Sequence, residues 1–227
     1  MAGKVDLSKP FKVRDWTTPV TPTRYVKIIT PDTKFDPAGV YSFDHILDAE
    51  QEAIVRQVLE AAQDAAMGHV LSSLDPKKDA AKIKKLQKAD LPLSEDFDED
   101  GNPTGKYILR VKRKASGQRK DGSAWSFKIP IKDAKGKPVS TKGLQIWGGS
   151  ELRANISIDG WLRATDNAVG ITLKIQAVQI AKLVSGGAND SFGEIEGGYE
   201  ADDAVAADTS EFNDDLDDAS DDEAADF

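Results

Sequence analysis

Apolar and polar positions alternate along several stretches of this chain and recur at helical spacing in one. "RYVKIIT" (24–30) alternates and is rich in β-branched residues, which predicts a strand, and "GVYSFDHIL" (39–47) predicts a second. Asp48 then stands where a helix N-cap would, with Gln51 at the third helical position, the spacing of a capping box. Ile54, Val55, Val58, Leu59 and Ala62 follow at helical spacing, and Gly68 is the expected stop. Asp75-Pro76 opens a shorter helix, with Ile83 and Leu86 on one side and Lys77, Lys78, Lys82, Lys84, Lys85 and Lys88 around the rest. Residues 1–23 carry Pro10, Pro19 and Pro22 with little periodicity, and are expected to form an extended arm.

From residue 91 the texture changes. "LPLSEDFDEDGNPTG" is expected to be a polar, turn-rich connection. Strands are predicted at 106–116, at 123–133, and as a long pair at 151–164 and 169–184, with "TDNA" as the tight turn inside the pair. Strands, a helical insertion at about 48–89 and then more strands fit a small, strongly bent β-barrel spanning 24–184. Residues 185–227 are rich in glycine and acid and poor in apolar residues, the composition of a disordered segment.

Charge sharpens this division. The whole chain has 30 basic and 39 acidic residues, yet no Lys or Arg follows Lys182, and 16 of the acids lie beyond it. Residues 1–182 therefore hold 23 acids against 30 bases, a net of +7, while the rest carries −16. A basic body with an acidic tail is the asymmetry of a nucleic-acid binder carrying a self-competing segment, though it also suits a solubility tail. The last fourteen residues, "DDLDDASDDEAADF", hold eight carboxylates and end on Phe227, an apolar ring that solubility alone would not call for. No run of eighteen apolar residues exists, so no membrane-spanning segment is expected; the N-terminus lacks a signal-peptide pattern, so export is not expected. With no cysteine there is no disulfide and no thiol chemistry.

Alternation also sorts candidate chemistry. Along 151–164, Leu152, Ala154, Ile156 and Ile158 point to the core, whereas Arg153, Asn155, Ser157, Asp159, Trp161 and Arg163 point away. Along 107–114, Tyr107, Leu109 and Val111 oppose Arg110, Lys112 and Lys114; along 125–132, Trp125, Phe127, Ile129 and Ile131 oppose Ser126, Lys128 and Lys132. Basic stripes with an exposed ring suit single-stranded nucleic acid, because cations follow phosphates and a ring stacks on any base. Duplex-reading motifs are absent. Trp125 and Phe127 read as core by their face, Trp16 as a packing anchor, and Trp147 equally as a barrel plug or a ligand contact. The lysine-rich helix reads equally as a solvated face. "DFDEDG" (96–101) has calcium-loop spacing, but its twelfth position is Tyr107 rather than Glu, so it reads as a solvated turn, and a nuclease using Asp96, Asp98 and Asp100 is disfavoured. No metal, cofactor or catalytic residue is expected.

The stretches "AWSFKIPIKDAKGKP" and "IWGGSELRANISIDGWLRATDNAVGITLKIQ", with an acidic tail ending in "DF", resemble the single-stranded DNA-binding proteins of T-odd-type tailed phages. The resemblance runs from about residue 24 to the end. It implies a mainly β, OB-fold barrel with an inserted α-helix or helical pair and a disordered acidic C-terminal tail. It further implies a non-enzymatic protein that coats single-stranded DNA during phage replication and recombination in the cytoplasm of the infected host. The tail would compete with DNA and contact the phage polymerase and helicase-primase, and homodimers could form by tail exchange. By position, Trp161 matches a base-stacking aromatic, and Phe227, beside Asp226, matches the terminal partner-binding ring. Where a relative has an aromatic in the third strand this chain has Lys114, so Tyr107 or Trp125 would substitute. The other classes left open by the residues are an RNA-binding or annealing module and an acidic-tailed chaperone of a basic protein.

Overall fold

The computed structural model describes residues 7–119 and 121–184; the expectations for 185–227, including Asp226 and Phe227, lie outside them. Five strands close a barrel: β2 (Thr21–Asp32), β3 (Val40–Leu47), β6 (Pro103–Lys114), β10 (Glu151–Arg163) and β11 (Ala168–Lys182). β2 pairs with β3 and β3 with β6, all antiparallel; β6 joins β11 in parallel, β11 pairs with β10, and β10 returns to β2 at Thr21 and Pro22. This closed, mainly β Greek-key arrangement is the OB-fold.

Sequence alternation accounts for the barrel interior. Phe43, Leu47, Leu109, Val111, Leu152, Ile156, Ile158 and Ile175 are all at most 1% exposed. Each such side chain contributes about 1.5–3 kcal/mol through burial. One open side is covered by α1 (Ala49–Ser73), whose N-terminus carries the expected capping box between Asp48 and Gln51. Val55, Leu59, Ala62, Ala66 and Val70 form its buried stripe. The helix lies so close to β10 that a Cβ on Gly160 would stand 3.0 Å from the Ala66 Cβ and 2.6 Å from the Phe11 ring. Only glycine fits there.

Several elements depart from the expectations. The helix runs through Gly68 to Ser73. Gly68 faces open space, so its cost of about 1 kcal/mol is outweighed by burying Val70 two residues on. In the proline-rich N-terminal region, β1 (Phe11–Thr17) adds to β10, with Trp16 opposite Ile156. The segment read as a polar connection contains β5 (Leu93–Phe97), which pairs with β6. Within its turn, the Asp98 carboxylate accepts the amides of Asp100 and Asn102, and these bonds hold its pKa below the usual range. The spacing that resembles a calcium loop is thus spent on a turn.

The predicted strand at 123–133 is broken. Pro130 supplies no N–H, so only its carbonyl joins the sheet, accepting the Val178 amide. Before it, β8 (Ala124–Ser126) pairs with β7 (Ser116–Gln118) as a separate two-stranded sheet; after it, β9 (Ile131–Lys132) runs parallel to β11. The shorter helix expected from Asp75 is reduced to α2 (Ala80–Ile83), which leads into β4 (Gln87–Lys88), paired in parallel with the start of β11.

His45 is enclosed beside the core, its Nδ1 2.6 Å from the Thr21 hydroxyl and its ring edge-on to Phe43. Its Nε2 has no hydrogen-bond partner among the described residues. Burial therefore pushes its pKa down from 6.5 to about 3, against the opposing pull of Asp44. A depressed imidazole pKa means that the unfolded chain takes up protons first. Stability from this source is full above the unfolded pKa and falls as pH drops from about 6.5 toward 3, at up to about 1.4 kcal/mol per pH unit. Urea unfolding between about pH 7 and pH 4.5, above the range where carboxylates dominate, should show this loss, and His45→Gln should flatten it. A slope that survives the substitution would assign the proton uptake to another group.

Candidate nucleic-acid interface

The outer face of β3, β6, β11 and β10 presents polar side chains in lateral register. Ser42 of β3 lies opposite Lys112 of β6, and Lys112 opposite Lys174 of β11. Lys174 in turn faces Ser157 of β10, Thr172 faces Asp159, and Gly170 faces Trp161. Two adjoining depressions open on this face. One, of about 480 Å³, is lined by Lys112, Arg113, Lys114, Trp125, Thr172 and Lys174. The other, of about 330 Å³, is lined by Tyr25, Phe35, Ser42, Asp44, Arg110 and Lys112. Lys112 borders both, and a third depression of about 520 Å³, reaching β5, also includes Arg110 and Lys112.

Most cations here are held by carboxylates. Arg110 makes a two-pronged contact with Asp44, at 2.7 and 2.8 Å, and this bonding raises its pKa. Asp44 is 2% exposed and also lies 3.8 Å from Arg24, which bonds Asp96 at 2.8 Å. The two sheltered carboxylates are therefore both neutralised. Lys114 pairs with Asp36 at 3.0 Å, holding that carboxyl below its usual range, and Lys174 pairs with Asp159 at 2.5 Å. Arg163 is fixed by Asp166, mainly through the hydrogen bonds that raise the guanidinium pKa. Lys112 has no ion-pair partner among the described residues, so its ammonium is available to a ligand anion.

Rings accompany these cations. Trp161 lies over Gly170: a Cβ at that glycine would meet the indole at 2.2 Å, and the Arg163 guanidinium stands 5.4 Å from the ring. Trp125 lies in the same way over Gly117, where a Cβ would meet its ring at 2.9 Å. Both rings are half-buried, with one face on backbone. Tyr25 is 69% exposed and Phe35 is 89% exposed, each beside a cation, Arg24 at 5.4 Å and Lys34 at 5.3 Å. Arg113 is also ring-bound, 3.4 Å from Phe127, and donates to the Ile175 carbonyl.

The structure gathers part of the expected set. Arg110, Lys112, Lys114 and Trp125 border the depressions, and Trp161 and Arg163 continue the same face past Thr172. Trp125, whose alternation pointed to the core, opens onto the groove because its strand is detached from the barrel. Tyr107 does not join them: it is half-buried on the inner side of β6 with Leu109 and Val111, packed against the core. Arg153 bonds Gln179, the residue opposite Lys132, so these two cations share the far end of β10 and β11. Eight residues separate Arg153 from Trp161, about 26 Å at a strand's rise. Lys128 is exposed in the segment before Pro130 and lines neither depression.

Sequence reasoning missed Tyr25, Phe35, Thr172 and Lys174. Phe35 had a signal, a lone apolar ring in the polar run "PDTKFDPAG". Tyr25 had none: its φ of +52° and the register shift between Arg24 and Lys27 turn it outward from an otherwise alternating strand. Trp147, left open, is 55% exposed and lines another depression, of about 370 Å³, with Tyr25.

No protein-family model matches this chain, and no curated protein sequence matches it. Among solved structures, gp2.5, a single-stranded DNA binding protein encoded by bacteriophage T7, superposes with a TM-score of 0.58 at 22% identity, over 83% of this chain and 99% of that one. The single-stranded DNA-binding protein from bacteriophage Enc34 in complex with ssDNA gives a TM-score of 0.47 at 14% identity, over 81% of this chain and 98% of that one. The described barrel with its inserted helix thus has the fold of the bacteriophage T7 protein.

Proposed function

We propose that this protein binds single-stranded DNA without sequence preference, along the outer face of β3, β6, β11 and β10, and coats it during phage DNA replication and recombination in the host cytoplasm. The observation that carries this reading is the pairing of rings with cations on one face: Tyr25 and Phe35 at one end, Lys112 and Trp125 in the middle, Trp161 and Arg163 beyond. Phosphates are drawn to the ammonium and guanidinium groups, and bases of any identity stack on the exposed ring faces. The likeness to gp2.5, a single-stranded DNA binding protein, supports the same reading. The face is read as a binding surface rather than a catalytic one, since Asp44 and Asp96 are both occupied by arginines.

The acidic segment extends the proposal. Residues 185–227 carry 16 acids and no base, a polyanion tethered to a groove that attracts polyanions. Tethering supplies an effective concentration on the order of mM, so even weak contacts compete with DNA. Tails displaced by DNA would then present Phe227 and Asp226 to the phage polymerase and helicase-primase, or to a second copy of the chain.

Comparing a single strand, its duplex and its RNA equivalent tests the first part. Binding should favour the DNA single strand and weaken with salt at a log–log slope of about −0.7 per phosphate contacted. Lys112→Ala should reduce that slope by about 0.7, and Trp125→Ala or Trp161→Ala should each cost about 1–3 kcal/mol of affinity. Gly170→Ala should displace the Trp161 ring, shifting its fluorescence and weakening binding while the barrel stays folded. Equal affinity for duplex, or binding indifferent to salt, would overturn the reading.

Removing residues 208–227 deletes ten carboxylates and should raise single-strand affinity most at low salt, where charge is least screened. Removing Phe227 alone leaves side-chain charge unchanged and should chiefly weaken capture of the polymerase. If the truncated protein gains no affinity at low salt, the tail does not compete with DNA.

A further inference from the structure

The lysine-rich segment between α1 and β5 contributes nothing to the groove above, yet it is fastened beside it. Gln87 and Lys88 of β4 pair in parallel with Ala168 and Val169, at the start of β11. The amides of Gln87 and Ala89 donate to the carbonyls of Asn167 and Val169 at 3.1 and 2.9 Å, and the Gln87 side chain donates to the Asp166 carbonyl at 3.2 Å. These bonds tie the segment to the β10–β11 turn. Gly170, the residue beneath Trp161, follows Val169 directly.

Four lysines of this segment, Lys77, Lys78, Lys84 and Lys85, are exposed and have no ion-pair partner among the described residues. Lys88 pairs with Asp64. Of the segment's own acids, Asp75 accepts the amides of Lys77 and Lys78, and Asp79 accepts the amide of Asp75. These carboxylates shape the turn and leave the lysine heads facing water. Residues 75–88 thus hold six lysines against two acids, a local net of +4. Like charges on one short segment repel, and a polyanion would relieve that repulsion.

We propose that this patch is a second phosphate-binding surface, over which single-stranded DNA continues after it passes Trp161. The inference rests on the groove reading above. The path is continuous in register: Lys112 lies opposite Lys174, Thr172 leads to Gly170 and Trp161, and Ala168 and Val169 carry the lysine segment. From Lys174 to Ala168 is six residues of β11, about 20 Å, so a short strand ends within the groove and a longer one reaches the patch. Lysines are flexible point charges rather than shaped pockets, so contact there is independent of sequence.

The test compares two oligonucleotides that bracket the OB-fold site-size range, about 6 and about 16 nucleotides, against the full chain carrying Lys77→Gln, Lys78→Gln, Lys84→Gln and Lys85→Gln together. Affinity for the longer strand should fall at least about tenfold at low salt, with a salt slope reduced by up to about 3. Affinity for the shorter strand should be unchanged. Lys112→Ala should weaken both. The pair Lys84→Gln and Lys85→Gln alone should give roughly half the change in slope, which serves if the fourfold variant loses its fold. Equal effects on both lengths, or none on the longer, would overturn the patch while leaving the groove reading intact. If the unaltered protein binds neither strand, both readings fall.

Discussion

Closure of the barrel is the constraint on which the rest depends. β6 and β11 meet in a single parallel pair, Lys112 opposite Lys174, and β10 returns to β2 through only Thr21 and Pro22. The seam sets two lysines opposite each other in register. Asp159 neutralises Lys174 from the neighbouring strand, and Lys112 is left facing the groove. Beyond the seam β6 and β11 diverge, and the Trp125 hairpin, Asp36 and Val40 border the space that opens. Phe11 of β1 and Ala66 of α1 both press on β10 at Gly160, which leaves no room for a side chain there.

The groove's electrostatics are those of a fixed lattice rather than a free positive field. Arg110, Lys114, Arg163 and Lys174 each already hold a carboxylate, so a phosphate gains a positioned donor but competes for it. Exposed pairs of this kind contribute little to stability, about 0–1 kcal/mol each, so their value lies in orientation. The sheltered Asp44 differs. Removing Arg110 would leave a nearly buried carboxylate with only its long contact to Arg24, and a buried charge without its partner is costly.

Much of the fold was legible in the sequence because burial leaves a periodic trace. The alternation of 151–164 and 169–184, the capping box at Asp48 and the helical stripe read from Ile54 correspond to observed elements, except that Ile54 itself stays exposed and the buried stripe begins at Val55. What was not legible depends on partners distant in sequence. β1 and β5 are short edge strands, recruited by β10 and β6, and their own residues alternate too weakly to announce it. The site follows the same division. Arg110, Lys112 and Trp161 followed from alternation. Tyr25 depended on a bulge, Trp125 on a hairpin leaving the barrel, and Lys174 on a parallel pairing that no local pattern encodes.

Trp125 and Trp161 each rest one face on a glycine, and that contact has a consequence for any planar ligand. With one side of the indole in contact with backbone, only the other side is available, so each ring is a shelf and not a clamp. A flat group set down on a shelf leaves sideways, without two surfaces having to part. Several shelves in a row would hold a chain of such groups firmly in sum while releasing any one of them readily.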